Sequence, residues 1–293
     1  SALLWTIKST RTLQTEHAKK DHTVSHVKVA ALLKQEGYRL QSNYKKKEGL
    51  PNPDRDQQFR HINAEVESFL THDEPVISVD TKKKELVVNY KNNGQEWRPK
   101  GTPTEVNMHD FPDKVNGKAV PYGIFDVREN AGYVNVGINH DTGEFSVASI
   151  KRWWQTLGKT LYPHATKLLI TCDAGGSNGY RLRLWKKELQ KFSTQSGLTI
   201  TVSHFPPGTS KWNKIEHKLF SFISINWRGK PLTSYQTIIN LIASTKTKTG
   251  LRVYATLDEN VYELKQRVTD KEMKDIHLTP NIFHGEWNYM IAP

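Results

Sequence analysis

The run Lys167-Leu168-Leu169-Ile170-Thr171-Cys172-Asp173 decides the predicted fold, because apolar residues fill a strand-length segment that ends in an acid. A continuous apolar run of this length is typical of a strand that is buried on both faces of a sheet. The earlier segment Val76-Ile77-Ser78-Val79-Asp80 has the same pattern. Ligands collect at the carboxyl ends of strands in open α/β sheets. We therefore expect Asp80 and Asp173 to meet there if the two strands are neighbours.

The patterns around these two segments predict a mixed sheet with helices on its faces. Further strands are predicted at 86–90, 122–127, 133–138 and 198–202, and helices at 145–161, 181–192, 211–227 and 233–243. A meander of strands is thus followed by βαβ units. This order favours an α/β fold with a mixed sheet and flanking helices.

The first forty residues predict two short helices around a tight turn. Ser9 or Thr10 caps a helix that runs to about residue 20, and Ser25 caps a second helix. The second helix has one apolar face, and Gly37 stands at its end. In a basic segment this pattern fits a helix-turn-helix, and a plain helical hairpin fits it equally well.

Composition divides the chain into four predicted segments. Residues 1–45 form the helix-turn-helix domain, 46–72 a linker and connecting helix, 73–250 the α/β domain, and 251–293 a C-terminal extension. The stretch 44–53 is charged and carries one Gly and two Pro, which is typical of a linker. The connecting helix, 54–70, has apolar residues at helical spacing.

Charge is distributed unevenly over the 293 residues, whose net charge is +12. Residues 1–50 carry 10 basic and 4 acidic side chains, and residues 151–250 carry 16 basic and 3 acidic ones. Two basic blocks indicate a polyanion partner, most simply nucleic acid, although solubility charge is the alternative. The three acids within the second block are Asp173, Glu188 and Glu216.

Several classes of protein are excluded by the rest of the composition. The single cysteine, Cys172, excludes a disulfide framework and a cysteine-rich zinc site, and it fits a reducing cytoplasm. No apolar run is long enough for a membrane helix, and the N-terminus lacks the pattern of a signal peptide. Because the sequence does not begin with Met, we expect residues upstream of Ser1.

Three acids form the candidate site: Asp80, Asp173 and Glu216, the last of which lies early in the predicted helix 211–227. Converging carboxylates repel each other unless a divalent cation lies between them. Oxygen ligands select Mg²⁺ or Mn²⁺, and a pair of such ions activates a nucleophile and stabilises the leaving oxygen of a phosphodiester. The alternatives are turn capping by the two aspartates and a solvated helix face for Glu216.

Several long strings resemble one family, the Rhodopirellula-type DDE transposases of bacterial insertion sequences, which are related to mariner-like transposases. The strings are PVISVDTKKKEL at 75–86, EWRPKG at 96–101, AVPYGI at 119–124, LITCDAGGSNGYR at 169–181, PPGTSKWNKIEH at 206–217 and FHGEWNY at 283–289. The resemblance covers nearly the whole chain.

This resemblance implies an RNase H-like fold in which Asp80, Asp173 and Glu216 are the catalytic, metal-binding triad. It implies Mg²⁺- or Mn²⁺-dependent hydrolysis at the ends of an insertion sequence, followed by attack of the freed 3′-hydroxyl on target DNA. The implied partners are element ends and target DNA, bound by a homo-oligomer in the bacterial cytoplasm and associated with the nucleoid. No membrane is implied.

Ten residues are predicted to contact DNA, some from the second N-terminal helix and some from basic or aromatic positions near the acids. They are Ser25, His26, Lys28, Lys82, Lys83, Lys84, Trp97, Arg98, Lys211 and Lys214. Trp97 is a candidate for stacking on an unpaired base. The lysines that follow Asp80 either contact the DNA backbone or form a solvated edge.

Two further readings stay open. A DNA-binding regulator with a catalytically silent RNase H-like domain would keep the helix-turn-helix, but an intact acidic triad argues against such a relic. A simple nuclease or resolvase of the same fold would not need the N-terminal helices or the segment 251–293.

Residues 175–179, GGSNG, either cradle a phosphate or form a plain turn. His140 and His204 are either proton-transfer groups or structural residues.

Overall fold

A computed structural model describes residues 6, 8–41, 53–109 and 117–293. The chain divides into two compact units, residues 1–49 and residues 50–293. The predicted linker 44–53 lies almost wholly outside the described residues. In the described part of the chain, no helix is both long and apolar enough to cross a membrane.

The smaller unit contains two capped helices, α1 (Thr10–Ala18) and α2 (His26–Gln35). The Ser9 side chain accepts a hydrogen bond from the Thr12 amide, and Ser25 does the same for Lys28. These are the caps that the sequence predicts. Val29 is buried between the helices, and Gly37, with φ +84°, follows α2 in the left-handed region that favours glycine.

The larger unit is built on one mixed sheet of nine described strands. In chain order they are β1 (Val76–Thr81), β2 (Glu85–Leu86), β3 (Lys118–Asp126), β4 (Ala131–Gly137), β5 (Lys167–Cys172), β6 (Thr199–His204), β7 (Arg252–Asp258), β8 (Leu278–Pro280) and β9 (Asn288–Ile291). Their order across the sheet is β7-β4-β3-β1-β5-β6-β9-β8, and β2 pairs with β3. Strands β1, β5 and β6 are parallel, whereas β3 is antiparallel to both β1 and β4. The predicted α/β fold with a mixed sheet is confirmed.

Helices cover both faces of this sheet. They are α3 (Arg55–Thr71), α4 (Gly143–Trp153), which continues through a wide turn at Trp154–Gly158 into α5 (Lys159–Leu161), then α6 (Arg183–Ser196), α7 (Ser221–Asn226), α8 (Tyr235–Ala243) and α9 (Asp270–Lys274). Alternation along β3 places Tyr122 and Ile124 under α4 and α6, and Phe125 under α7 and α8. Helix α3 packs its own apolar face on the starts of β1 and β5. Trp153 and Trp154 are both buried in the core.

The structure differs from the predicted elements in two places that matter for the site. The segment 251–293, predicted to be an extension, contributes β7 beside β4 and β9 beside β6, so it completes the sheet at both sides. The predicted helix 211–227 is broken, because Asn213 is extended with ψ 125°. A short 3₁₀ turn (Ser210–Trp212) precedes Asn213, and a wide helical turn (Glu216–Phe220) leads into α7.

Candidate active site

Strand pairing places Asp80 and Asp173 side by side. Strands β1 and β5 are parallel, and their register runs to the pair Val79–Cys172, so the next residue of each chain segment is the acid. Both side chains are partly exposed at the carboxyl edge of the sheet, and the residues just before them are buried. The side chains of the two predicted acids therefore reach solvent at one point, as the sequence pattern indicated.

The pKa values of both aspartates are raised. Burial, followed by the negative charge of Asp173, raises the pKa of Asp80 to about 8. Burial raises the pKa of Asp173 to about 6, with a further contribution from Glu216. A raised carboxyl pKa shows that the charged form lacks compensation. At neutral pH the pair retains a proton unless a cation neutralises it.

Glu216 lies on a helical turn that packs on the same face of the sheet as Ser78, whose Oγ accepts a hydrogen bond from the Ile215 amide. Two glycines in the strands beneath make room for its helical turn: a Cβ added to Gly123 would lie 2.8 Å from Ile215 Cδ1, and one added to Gly132 would collide with Leu219. Burial raises the pKa of the half-buried Glu216, and its charge in turn raises the pKa values of Asp80 and Asp173. Among the residues that the structure describes, however, no three Asp, Glu, His or Cys side chains are arranged to hold a metal ion.

The donor set fits a hard divalent cation. Asp80 and Asp173 present carboxylate oxygens, which are the ligands that Mg²⁺ and Mn²⁺ take, and a cation between them would remove the repulsion that raises their pKa values. One oxygen of each carboxylate is already fixed: the Thr81 amide donates to Asp80 Oδ1 at 2.7 Å, and Asn213 Nδ2 donates to Asp173 Oδ1 at 3.1 Å. The second oxygen of each side chain accepts no hydrogen bond from the described residues, so it is available as a ligand.

Asn213 connects the elements of the site, although sequence reasoning gave it no role. Its Nδ2 donates to Asp173 Oδ1 and, at 3.2 Å, to the Val79 carbonyl, and its Oδ1 accepts from Ser78 Oγ at 2.5 Å. Ser78 Oγ also accepts from the Ile215 amide at 3.1 Å. Both side chains are fully buried. The sequence signal that could have identified it is an Asn three residues before Glu216, because Asn is common at the N-terminal cap of a helix.

Asp141 is a fourth acid near the site. Thr81 Oγ1 donates to Asp141 Oδ1 at 3.0 Å and lies 3.3 Å from Ser177 Oγ. Lys84 Nζ forms an ion pair with Asp141 at 3.6 Å. The charge of Asp141 contributes to the raised pKa of Asp80, although less than Asp173 does. His140, which the sequence suggested as a proton-transfer group, is exposed beside it.

The glycine-rich loop lines a cleft of about 560 Å³ beside Asp173. The opposite wall is formed by residues 206–208 and Ser210, and Tyr180 and Arg181 also line the cleft. Gly176 has φ +68°, so this position favours glycine. Asn178 is buried and accepts a hydrogen bond from the Tyr122 hydroxyl at 2.8 Å, which anchors the loop to the core.

The comparison with protein families decides the identity of the chain. The family described as Rhodopirellula transposase DDE domain matches residues 1–293. The chain belongs to this family. It is therefore a transposase-type protein with a DDE domain, as the sequence resemblance suggested.

Solved structures with similar backbones are complexes of a mariner transposase. The Mos1 transposase paired-end complex with left transposon end matches with 12% identity, covering 81% of this chain and 70% of that chain, at a TM-score of 0.46. A pre-cleavage Mos1 transpososome matches with 11% identity, 81% and 71% coverage and a TM-score of 0.45. The Mos1 mariner paired end complex with Mn matches with 12% identity, 79% and 64% coverage and a TM-score of 0.43. No curated protein matches the chain.

The structure of this DDE-family chain places the predicted DNA-binding residues in different environments. In the small unit, Ser25 caps α2, His26 is half-buried and Lys28 is exposed. In the large unit, Lys83 and Lys84 are exposed after β1, and Lys211 and Lys214 are exposed on either side of Asn213. Trp97 is fully exposed, at 103%, and Arg98 Nε pairs with Glu96 at 2.5 Å.

Lys82 differs from its predicted surface position. It is only 8% exposed, pairs with Glu85 at 3.1 Å and lies 4.2 Å from the centre of the Trp227 ring. Burial lowers its pKa. These contacts give Lys82 a role in joining β1 to α7, and its ammonium group is not presented to solvent. Trp212, to which the sequence analysis gave no role, is 54% exposed and directly precedes Asn213.

Proposed function

We propose that this chain cleaves DNA strands at the ends of an insertion sequence and joins the freed 3′-hydroxyl to target DNA, using Asp80, Asp173 and Glu216 with Mg²⁺ or Mn²⁺. The observation that carries the proposal is the pair of adjacent, partly buried carboxylates at the ends of β1 and β5, both with raised pKa values. Such a pair is unfavourable by itself and becomes favourable when it binds a divalent cation.

The residues at the site would have the following roles. Asp80 and Asp173 would hold the metal through the oxygens that Thr81 and Asn213 leave available, and Glu216 would supply the third carboxylate. Bound metal would supply activation of the attacking oxygen and stabilisation of the leaving one. DNA carries one phosphate per nucleotide, and the exposed Lys83, Lys211 and Lys214 would contact these phosphates.

The partners follow from the same chemistry. The exposed Lys28 on the capped helix α2 supports recognition of element ends by the small unit, and the basic block 151–250 supports salt-sensitive binding to any DNA. Two ends have to be brought together before joining. A homo-oligomer assembled on DNA, in the nucleoid of a bacterial cell, is therefore part of the proposal.

The test is cleavage of a labelled element end by wild type and three variants, with and without Mn²⁺. Glu216→Gln and Asp173→Asn should abolish cleavage and leave DNA binding unchanged or tighter, because each removes a negative charge near phosphate. Glu188→Gln makes the same charge change on α6, where Glu188 pairs with Lys191 at 2.7 Å, and should cleave normally. Loss of cleavage in Glu188→Gln equal to that in Glu216→Gln would overturn the assignment. Tight end binding by a wild type that never cleaves would favour a DNA-binding regulator.

A further inference from the structure

A line of buried polar side chains leads from the C-terminal strand to Asp173. Trp185 Nε1 lies 2.9 Å from the Tyr289 hydroxyl, and that hydroxyl lies 3.1 Å from His204 Nε2. On the other side of the ring, His204 Nδ1 lies 3.0 Å from the Asp173 carbonyl oxygen. All three rings are at most 2% exposed. None of the three residues has a role in the proposed chemistry.

The direction of each hydrogen bond follows from the donors available. Trp185 Nε1 can only donate, so the Tyr289 oxygen accepts and its own hydrogen points to His204 Nε2. Nε2 is then an acceptor, and a neutral imidazole with an acceptor at Nε2 carries its hydrogen on Nδ1. The Asp173 carbonyl can only accept, so Nδ1–H donates to it. All three contacts agree on this one tautomer.

The surroundings favour a neutral ring. His204 is fully buried, and burial disfavours a charged imidazolium. The Cys172 thiol lies 3.4 Å from Nδ1. Because a thiol is a weak acceptor, it competes poorly with the Asp173 carbonyl for the Nδ1 hydrogen.

The main chain of His204 is held by the same C-terminal segment. Its amide donates to the Trp287 carbonyl at 2.9 Å. Its carbonyl accepts from Gln58 Nε2 at 2.9 Å, and Gln58 exchanges two hydrogen bonds of 2.8 Å with the side chain of Asn288. Gln58 comes from α3 and is fully buried. Strand β9 and helix α3 therefore fix His204 from three directions.

We propose that His204 is a positioning residue that orients Asp173 through its main chain, and that Tyr289 and Trp185 fix the His204 tautomer which makes this possible. Tyr289 belongs to the family string at 283–289. This string therefore connects the C-terminal end of the chain, through His204, to the proposed metal ligand Asp173. The metal part of this inference rests on the proposed function. The tautomer part does not.

The decisive variant is Tyr289→Phe, which removes one hydroxyl and keeps the ring. Two-bond ¹H–¹⁵N spectra of ¹⁵N-histidine-labelled full chain, with His204 assigned by substitution, report the tautomer. Wild type should show hydrogen on Nδ1, and Tyr289→Phe should show a mixture of tautomers. The Kd for Mn²⁺ should rise about tenfold in the variant. Hydrogen on Nε2 in wild type would overturn the proposal.

Tyr162→Phe is the matched control. Tyr162 is buried, and its hydroxyl donates to the Asp126 carboxylate at 2.8 Å. Asp126 pairs with Ile77 at the opposite end of β1 from Asp80, so this loss should lower the melting temperature without changing the Kd for Mn²⁺. A similar rise in Kd in both variants would show that general destabilisation is responsible, and it would overturn the positioning role.

Two substitutions of His204 test whether the position of the hydrogen-bond donor matters, rather than only the size of the side chain. The amide nitrogen of Asn overlies Nδ1 of His, and that of Gln overlies Nε2. His204→Asn should therefore retain Mn²⁺ affinity, whereas His204→Gln should lose it about tenfold. Equal affinities would contradict the proposal. If wild type binds no Mn²⁺ with or without DNA, the proposed function fails, and the metal part of this inference fails with it. The NMR spectrum of the His204 tautomer still tests the hydrogen bond from Nδ1 to the Asp173 carbonyl.

Discussion

Replacing Asn213 by Ala perturbs the candidate site at the residue that joins its parts. The side chain is fully buried and makes hydrogen bonds to Ser78, the Val79 carbonyl and Asp173 Oδ1. The substitution creates little new exposed surface. It leaves the Ser78 hydroxyl hydrogen without its acceptor, although Ser78 Oγ still accepts from the Ile215 amide, and it removes a donor from the Val79 carbonyl and from Asp173.

Two effects of different size follow from this change. An unsatisfied buried polar group costs roughly 1–3 kcal/mol, so the free energy of unfolding should fall by about 1–3 kcal/mol for the Ser78 hydroxyl. Loss of the donor also removes the hydrogen bond that lowers the pKa of Asp173, so its pKa should rise. Protons then compete better with metal, and the Kd for Mn²⁺ at pH 7 should rise about tenfold, the equivalent of about 1.4 kcal/mol.

Urea unfolding without metal and calorimetric titration with Mn²⁺ measure the two effects separately. Asn135→Ala is the control, because Asn135 is also fully buried and bonds Ser149, Asp258 and Arg152. It should lose similar stability and keep the wild-type Kd. If Asn213→Ala keeps the wild-type Kd while it loses stability, Asn213 is only a structural residue and the reasoning is refuted.

Three further predictions concern pH, charge and packing. The folded-state pKa of Asp80 is raised to about 8, so its contribution to stability without metal is present below about pH 4 and is lost as pH rises to 8. Mg²⁺ should therefore raise the melting temperature more at pH 8 than at pH 5. Asp80→Asn should remove this difference. Lys82→Met should lower stability with an unchanged salt dependence of DNA binding, whereas Lys83→Met should reduce the slope of log affinity against log salt concentration by about one and keep the stability. Gly123→Ala should lower stability by about 1–3 kcal/mol in thermal unfolding, because a Cβ would lie 2.8 Å from Ile215 Cδ1 beside the turn that carries Glu216; unchanged stability would contradict that packing.

The fold was predictable where a single segment carries its own signal. The runs that end in Asp80 and Asp173 are apolar over a full strand, so burial on both faces and the position of the acid follow from the pattern alone. The same is true of the capped helix α2, where Ser25 precedes a clear apolar face. These features depend on local sequence and on the strand period.

The features that were missed depend on contacts between distant segments. Nothing local marks β9 as the neighbour of β6, since a strand of four residues gains its stability from that pairing. The break at Asn213 comes from hydrogen bonds to β1 and β5, which override the helical pattern around it. Lys82 was assigned to the surface because charge usually lies there, and only the positions of Glu85 and Trp227 reveal its burial.

Strand joining tests the central claim most directly. A pre-cleaved element end with a free 3′-hydroxyl is incubated with supercoiled target DNA, and joined product is measured for wild type and Asp80→Asn with Mg²⁺, Mn²⁺ or chelator. The account predicts joined product only with wild type and a divalent metal, and none with Asp80→Asn, which still binds the end. Joining in chelator, or joining by Asp80→Asn at the wild-type rate, would contradict it.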